Sequence, residues 1–335
     1  MTDQIKKSGT SNSAFTLLLF VSLLLTFLTV VLSAYIRLSV AGVGCDQWPE
    51  CYGVVLAHPD QRGVAVLTEA GAEMPHAFAR TAHRLIASVL GVLVAGVALI
   101  AWRQRKTSDT GLILPMLLLG LTIFLSLLGY LTPSPLVPMV TAANITGGMA
   151  MLAILWWLGQ RSVIKISAGS NETGGRTRRL AIAALLLVSV QICLGSWTSA
   201  NYAAAACPEL LDCGDDWSAA DLAQGFNPAR QLNTDIHHKV VQTGVMSAIQ
   251  VSHRAMAVIL FLYLTWLAIT LIKEHPPLRA NAITIALFSV LQMLAGVLSI
   301  WMHGPLLLVT FHNTLAALLL LSVVNLIHQL TPTQP

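Results

Sequence analysis

Three histidines of this chain lie inside long apolar stretches, near one end of each stretch. They are His83, His253 and His312, and each has an alanine four residues later. An ionisable side chain inside a membrane helix marks a functional site by default, because placing it in lipid is costly. Neutral imidazole is a good iron ligand, and an alanine one turn away leaves room on the same helix face for a flat macrocycle. The pattern therefore predicts heme iron ligands, with His253 and His312 as both axial ligands of one heme that carries electrons.

Two other interpretations of the histidines stay open. A membrane histidine often donates a hydrogen bond to a neighbouring helix, and small residues four apart are common where helices pack. Zinc or copper is a second candidate, although no thiolate or carboxylate is expected at the same depth. The heme interpretation is favoured because the three histidines share one depth, about 10 Å or less below the outer surface. In addition, the pairs His83-Arg84 and His253-Arg254 repeat.

The elements that carry these histidines are predicted to be transmembrane helices. Of the 335 residues, 55% are hydrophobic and only 10% are charged, a composition outside the range of soluble domains. Eight apolar stretches are long enough to cross a hydrocarbon core of about 30 Å as helix. They cover residues 14–36, 78–101, 111–131, 136–159, 180–199, 246–272, 281–302 and 305–327. The predicted fold class is all-α, because a helix satisfies its own backbone hydrogen bonds in lipid.

A cleaved signal peptide is the alternative for the first stretch, since Lys6 and Lys7 precede it. Its length, and the lack of a small-residue cleavage site after it, favour a retained helix. With eight spans, the side of the membrane that holds both termini carries 12 of the 19 basic residues and 4 of the 15 acidic ones. Basic residues concentrate on the cytoplasmic side, so both termini are predicted to be cytoplasmic in the cell inner membrane. The basic excess reports topology, and no nucleic-acid partner is inferred from it.

The chain is predicted to contain two parallel repeats. The loops after the first and fifth stretches face the periplasm and each contain Cys-x5-Cys, as Cys45 and Cys51 and as Cys207 and Cys213. The cysteines are offset by 162 positions and the His-Arg pairs by 170. Four-helix units enter the membrane from the same side, which gives parallel halves. The predicted organisation is 1–159 as the N-terminal half, 160–179 as a cytoplasmic linker and 180–335 as the C-terminal half.

An oxidising compartment favours disulfides between the outer cysteines. Four cysteines allow three connectivities, and pairing within each loop is favoured because each pair is close in sequence. The fifth cysteine, Cys193, lies in the fifth stretch and is interpreted as an inert small hydrophobe.

The N-terminal half breaks the symmetry of the histidines. Val140-Thr141 matches Val309-Thr310, so the position of His312 is taken by Ala143 or Asn144, depending on the alignment. Neither residue ligates iron well. His83 is then expected to be the sole protein ligand in its half.

These motifs, in this order, resemble those of the heme A synthases over nearly the whole chain. The segments that carry the resemblance are Tyr35-Ile36-Arg37-Leu38, residues 42–53 (GVGCDQWPECYG), His83-Arg84, Gly147-Gly148-Met149, Leu155-Trp156-Trp157, residues 194–202 (LGSWTSANY), Cys207-Pro208, His253-Arg254 and His312-Asn313. The resemblance implies an oxidoreductase that converts the C8 methyl group of heme O to the formyl group of heme A, for terminal oxidases.

The resemblance also implies residue roles. The C-terminal half is expected to hold heme B through His253 and His312. Arg254 and Arg37 are the candidate residues for further contacts with the cofactor, and Arg254 suits a propionate. The N-terminal half is expected to take the substrate heme, with His83 as ligand and Arg84 beside it, and Cys45 and Cys51 match the family's cysteine pair. Expected partners are the heme substrate and the lipid bilayer, with heme O synthase, a terminal oxidase or a second copy as candidate protein partners.

Two residues depart from the family pattern. Members commonly have a histidine where this chain has Asn144, and a glutamate where it has Arg80, and a cation cannot act as a carboxylate base. Glu73 and His76 lie nearby as candidate substitutes. A non-catalytic b-type cytochrome that transfers electrons, or carries or senses heme, is therefore the alternative function.

A transporter or structural membrane protein is a further interpretation, but transporters with parallel repeats usually have helices broken near the midplane, and Pro115, Pro133, Pro135 and Pro138 lie near helix ends here. Thiol-disulfide exchange at the cysteines would leave the buried histidines unexplained.

Overall fold

The structure is a computed structural model of the chain. It describes residues 2–41, 43, 52–53, 77–105, 111–131, 136–163, 175–207, 209–210, 212–213, 217–237 and 239–331. Cys45, Cys51, Glu73 and His76 lie outside these ranges, so the predictions that rest on them stay predictions.

Eight helices in the described residues are long and apolar enough to cross a membrane. They are α1 (Thr2–Val40), α2 (Ala77–Arg103), α3 (Ile113–Leu131), α4 (Pro138–Val163), α5 (Gly175–Ala200), α7 (Gly244–Glu274), α8 (Arg279–Trp301) and α9 (Leu306–Gln329), with a short α6 (Ala219–Gly225) between α5 and α7. The described ranges contain no strand, only an isolated bridge between Thr234 and Val240. The all-α prediction of a multi-pass membrane protein is confirmed.

The observed helix ends differ from the predicted ones mainly at the start of α1 and at the two helix ends that border the predicted linker. The predicted linker, 160–179, is helical at both ends, because α4 continues to Val163 and α5 begins at Gly175. Polar residues at a helix end outside the hydrocarbon can stay helical, which a hydropathy window does not detect. The division into two halves stays a prediction.

The helices form one packed assembly. In the C-terminal half, α5 packs on α7, α7 on α8, α8 on α9 and α9 back on α5, which closes a ring of four helices. The N-terminal helices join this ring through α1 and α4, which both contact α9, whereas α2 packs against α1 and α3. Leu152, Val188, Leu264, Ile285 and Val323 are buried in the shared core. Close packing of such side chains holds helices together in lipid, where no hydrophobic force acts between them.

The connection between α5 and α7 covers the outer end of both halves. Its backbone pairs with the N-terminal half, since Val240 donates to the carbonyl of Gly53 at 2.9 Å and Leu232 donates to the carbonyl of Leu136 at 3.0 Å. Leu232 and Val240 are buried in a cluster with residues of the outer helix ends. The outer ends of the helices, where the histidines lie, are therefore closed by this loop.

Within that loop, α6 begins with a capping box that the hydropathy pattern does not reveal. The hydroxyl of Ser218 accepts from the N–H of Asp221, and the carboxylate of Asp221 accepts from the N–H of Ser218. The same carboxylate also accepts from the hydroxyl of Ser218 at 2.7 Å. This bond and the one from the N–H of Ser218 lower the pKa of Asp221, because they stabilise its charged form. The Ser-x-x-Asp pattern is a local signal for a helix start, and it is independent of hydropathy.

Candidate functional site

His253 lies on α7 and its ring faces a glycine of α5. A Cβ atom at Gly195 would come within 3.1 Å of Cε1 of the ring, so any larger residue would require the ring to shift by a few tenths of an ångström. One turn before this glycine, Nε2 of Gln191 lies 3.1 Å from Nδ1 of His253 and 3.2 Å from its carbonyl oxygen. The helix α5 therefore holds the ring with a small residue and an amide four residues apart.

His312 lies on α9 and is held in the same way by α8. A Cβ atom at Gly296 would lie 3.2 Å from Cε1 of this ring. Nε2 of Gln292 lies 3.1 Å from Nε2 of His312. The structure thus places both histidines in the ring of four helices, His253 between α7 and α5 and His312 between α9 and α8, each against a Gln-x3-Gly segment.

Several polar atoms around the two rings are buried without a hydrogen-bond partner. They are Oε1 of Gln191, Oε1 of Gln292, Nδ1 of His312 and Nε of Arg254. Buried polar atoms are nearly always paired, so a cluster of unpaired ones indicates a site for a ligand. Two imidazoles in one ring of helices, with unpaired buried polar atoms around them, fit a bis-histidine heme.

The ligand set does not favour the zinc or copper alternative. Within the described ranges, no three His, Cys, Asp or Glu side chains come close enough together to hold a metal ion. Structural zinc sites need four such ligands and catalytic ones three.

Arg254 follows His253, and its side chain holds the connection between α5 and α7. Its terminal nitrogens donate to the carbonyl oxygens of Cys207 at 2.7 Å, Glu209 at 2.6 Å and Leu210 at 3.1 Å. In this loop Cys207 forms a disulfide with Cys213. The predicted contact of Arg254 with a propionate stays a prediction, and only its Nε has no partner among the described residues.

Replacing Arg254 with methionine is expected to loosen the loop of residues 207–213. Each hydrogen bond from a charged donor stabilises by about 1.5–3 kcal/mol, so losing even one should raise local opening about tenfold. Hydrogen–deuterium exchange of the backbone amides in this loop measures the effect. Arg254→Lys is the matched control and should restore little, because one ammonium cannot span three carbonyls. Exchange at the wild-type rate in Arg254→Met would show that the loop does not depend on this side chain.

Arg37 lies on α1 and contacts α5. Its guanidinium donates to Oγ of Ser199 on α5. The two residues are 162 positions apart, the offset between the two cysteine pairs, so the bond joins equivalent positions of the repeats. The rings of Tyr52 and Tyr202 pack beside it with centroids 5.9 Å apart, and burial raises the pKa of Tyr202. Arg37 therefore joins α1 to α5, and its predicted contact with a cofactor stays a prediction.

His83 is partly buried on α2, apart from the other two histidines. Within the described ranges, no hydrogen bond joins the side chain of His83 or of the neighbouring Arg84 to another side chain. Arg80 lies one turn earlier and its Nε is buried without a partner. Asn144 is partly buried on α4. The structure does not bring a second candidate iron ligand to His83 among the residues that it describes.

Sequence reasoning missed the two residues that hold each ring. The signal is a polar residue inside an apolar helix with glycine four residues later, at 191–195 and again at 292–296. A single Gln-x3-Gly is uninformative, since glycine is common in membrane helices. The repeat within one half is what carries information.

The similarity to known proteins extends over the whole site. A family model, COX15-CtaA, described as cytochrome oxidase assembly protein, matches residues 16–324. The heme A synthase of Shewanella oneidensis is 32% identical over 317 residues, which make up 93% of this chain and 95% of that protein. The similarity includes the helices that carry all three histidines.

Proposed function

The chain belongs to the heme A synthase family, and from that premise we propose that it acts in heme A biosynthesis by oxidising the C8 methyl group of heme O to a formyl group. The observation that carries this proposal is the full-length similarity to a heme A synthase, over both halves and all three histidines. The family match covers the N-terminal half as fully as the C-terminal one, so both are included in the proposal.

The C-terminal half is proposed to hold heme B. His253 and His312 are the proposed ligands, because both rings lie in the ring of four helices and buried polar atoms around them have no partners. Heme held by two histidines would transfer single electrons, since both axial positions would be filled. The glycines at 195 and 296 leave the space for each ring.

The N-terminal half is proposed to bind the substrate heme through His83, with Arg84 beside it. His83 faces an environment with few competing partners in the described ranges, so its ring is available to a ligand. Arg80 and Asn144 occupy the positions where the family has a glutamate and a histidine. A single histidine leaves the other face of the substrate open to water or oxidant.

The charge distribution supports an inner-membrane protein with both termini in the cytoplasm and the cysteine loops in the periplasm. Heme substrate then enters from the bilayer. Heme O synthase, a terminal oxidase or a second copy of the chain are the proposed protein partners.

Heme analysis of cells tests the proposal. The chain is expressed in a host that lacks its own heme A synthase and makes heme O, and extracted hemes are separated chromatographically. Heme A should appear with the chain and be absent with the empty vector. Heme B and heme O alone, with the protein present in the membrane, would rule out synthase activity and leave the b-type cytochrome as the function.

A further inference from the structure

We propose that Gln191 and Gln292 are positioning residues that set the tautomer of the two histidines, so that each ring presents a lone pair to iron. The proposal rests on the heme site proposed for the C-terminal half. It concerns the amide groups that contact the rings, and it does not depend on whether the N-terminal half is catalytic.

The two glutamine–histidine contacts have the same arrangement, although the glutamines lie on different helices. Gln191 on α5 contacts Nδ1 of His253, and Gln292 on α8 contacts Nε2 of His312, each at 3.1 Å. In both cases a glycine one turn later lies under the ring. Glutamine in an apolar helix is costly unless its amide is used, and here both amides are aimed at an imidazole.

A neutral imidazole has one protonated nitrogen and one lone pair. When iron takes the lone pair, the other nitrogen carries the proton and needs an acceptor. An amide N–H that points at a ring nitrogen has the opposite effect, because it occupies the lone pair there and moves the proton to the far nitrogen.

A metal on the far nitrogen of each ring requires the opposite orientation of the amide. With the amide N–H on the ring, Oε1 of Gln191 and Oε1 of Gln292 are both buried without a donor, and Nδ1 of His312 has no partner either. A half-turn of each amide places its oxygen on the ring N–H and its NH2 group in the buried position that the oxygen occupied. The ring N–H then has an acceptor, and the lone pairs lie on the far nitrogens, which are Nε2 of His253 and Nδ1 of His312.

The half-turn has a cost at Gln191. It gives up the contact of its N–H with the carbonyl of His253 and turns the amide oxygen towards that carbonyl oxygen, which keeps its helical hydrogen bond within α7. The amide oxygen gains a donor in exchange. Heme binding is therefore coupled to the orientation of the two amides.

The N-terminal half lacks these amides. The cysteine offset of 162 places Thr29 opposite Gln191, and matching Gly129-Tyr130-Leu131 to Gly296-Val297-Leu298 places Leu125 opposite Gln292. The hydroxyl of Thr29 donates to its own helix at Leu25, and Leu125 has no polar atom in its side chain. Only the half with two histidines therefore has glutamines that set the histidine tautomers. This is expected for a cofactor that stays bound, and it is not expected for a substrate that must leave.

The test is the purified full-length protein with Gln191→Met and Gln292→Met, beside Gln191→Glu and Gln292→Glu. Methionine keeps the length of the side chain and removes the acceptor, so heme B retention should fall about 10–100-fold and the midpoint potential should shift upwards. Glutamate is a stronger acceptor, so it should retain heme B and shift the potential downwards. A purely structural role predicts no opposite shifts from the two substitutions.

Gln160→Met is the matched control, because this glutamine is also buried in the membrane, on α4, with both amide atoms unpaired. It should leave heme content, spectrum and potential unchanged. Wild-type potential and heme retention in both methionine variants would overturn the inference while the heme site stands. Absence of heme B from the wild-type protein would overturn both proposals. Opposite shifts without any heme A formation would support the inference and remove the synthase proposal.

Discussion

Replacing His253 or His312 with alanine is expected to remove heme B from the protein. Each single variant should lose as much heme B as the double variant. Both rings lie in the ring of four helices and each is held by its own Gln-x3-Gly segment, so neither has a nearby substitute among the described residues. Loss of a residue that only supports a metal ligand typically costs about 10–100-fold in affinity, so loss of the ligand itself should cost at least that much. The low-spin optical spectrum and the extracted heme content of the purified variants measure the effect.

His328→Ala is the control for this prediction, since it removes another buried histidine from the same helix as His312. His328 lies at the C-terminal end of α9, far from His312, and its ring packs edge-on against Trp157 at 5.4 Å between centroids. The substitution should lower stability through lost packing and leave the heme spectrum unchanged. Low-spin heme B at wild-type content in both His253→Ala and His312→Ala would contradict the assignment of the site to the C-terminal half.

The transmembrane helices are predictable from sequence because a single segment in lipid can pair its own backbone groups only as a helix. A stretch of apolar residues must be helical to pair its N–H and C=O groups, so hydropathy alone locates a helix such as α7, predicted as 246–272 and observed as Gly244–Glu274. The histidines are predictable for a related reason. A polar side chain in such a stretch costs free energy, so its presence in the sequence already indicates a role.

The contacts of the site are less predictable, because they join residues far apart in sequence. Arg254 was expected to face a propionate, yet the structure places its charge on carbonyls of residues 207, 209 and 210. No local pattern specifies how a loop folds back on a helix. Gln191 and Gln292 are visible as polar residues, but only the packing of α5 on α7 and of α8 on α9 shows which histidine each one meets.

The contact of Arg37 is predictable from sequence only in part. Its offset of 162 from Ser199 equals the offset between the cysteine pairs, so the repeat alone identifies the two positions as equivalent. Equivalent positions touch only if they lie near the axis that relates the repeats, and sequence does not place that axis. The bond between them in the structure is what locates Arg37 between α1 and α5.

His83→Ala is expected to abolish heme A formation and leave heme B in place. His83 is the only membrane histidine proposed for the N-terminal half, and a substrate displaced by about 1 Å reacts about 100-fold more slowly. The helix α2 that carries it packs on α1 and α3, whereas the pockets of His253 and His312 are built from α5, α7, α8 and α9. Heme A should fall at least about 100-fold in the complementation assay, with the low-spin heme B spectrum of the purified protein unchanged.

Ser88→Ala on the same helix is the matched control, because its hydroxyl only donates to the carbonyl of Arg84 in its own helix. It should form heme A at the wild-type rate. Heme A at wild-type level in His83→Ala would show that the substrate is held without this ring. Simultaneous loss of heme B would show that the two halves are not separate sites. A substitution on α2 would then affect the C-terminal helices, which α2 reaches only through α1. Loss of heme A alone is the outcome that assigns the substrate to the N-terminal half.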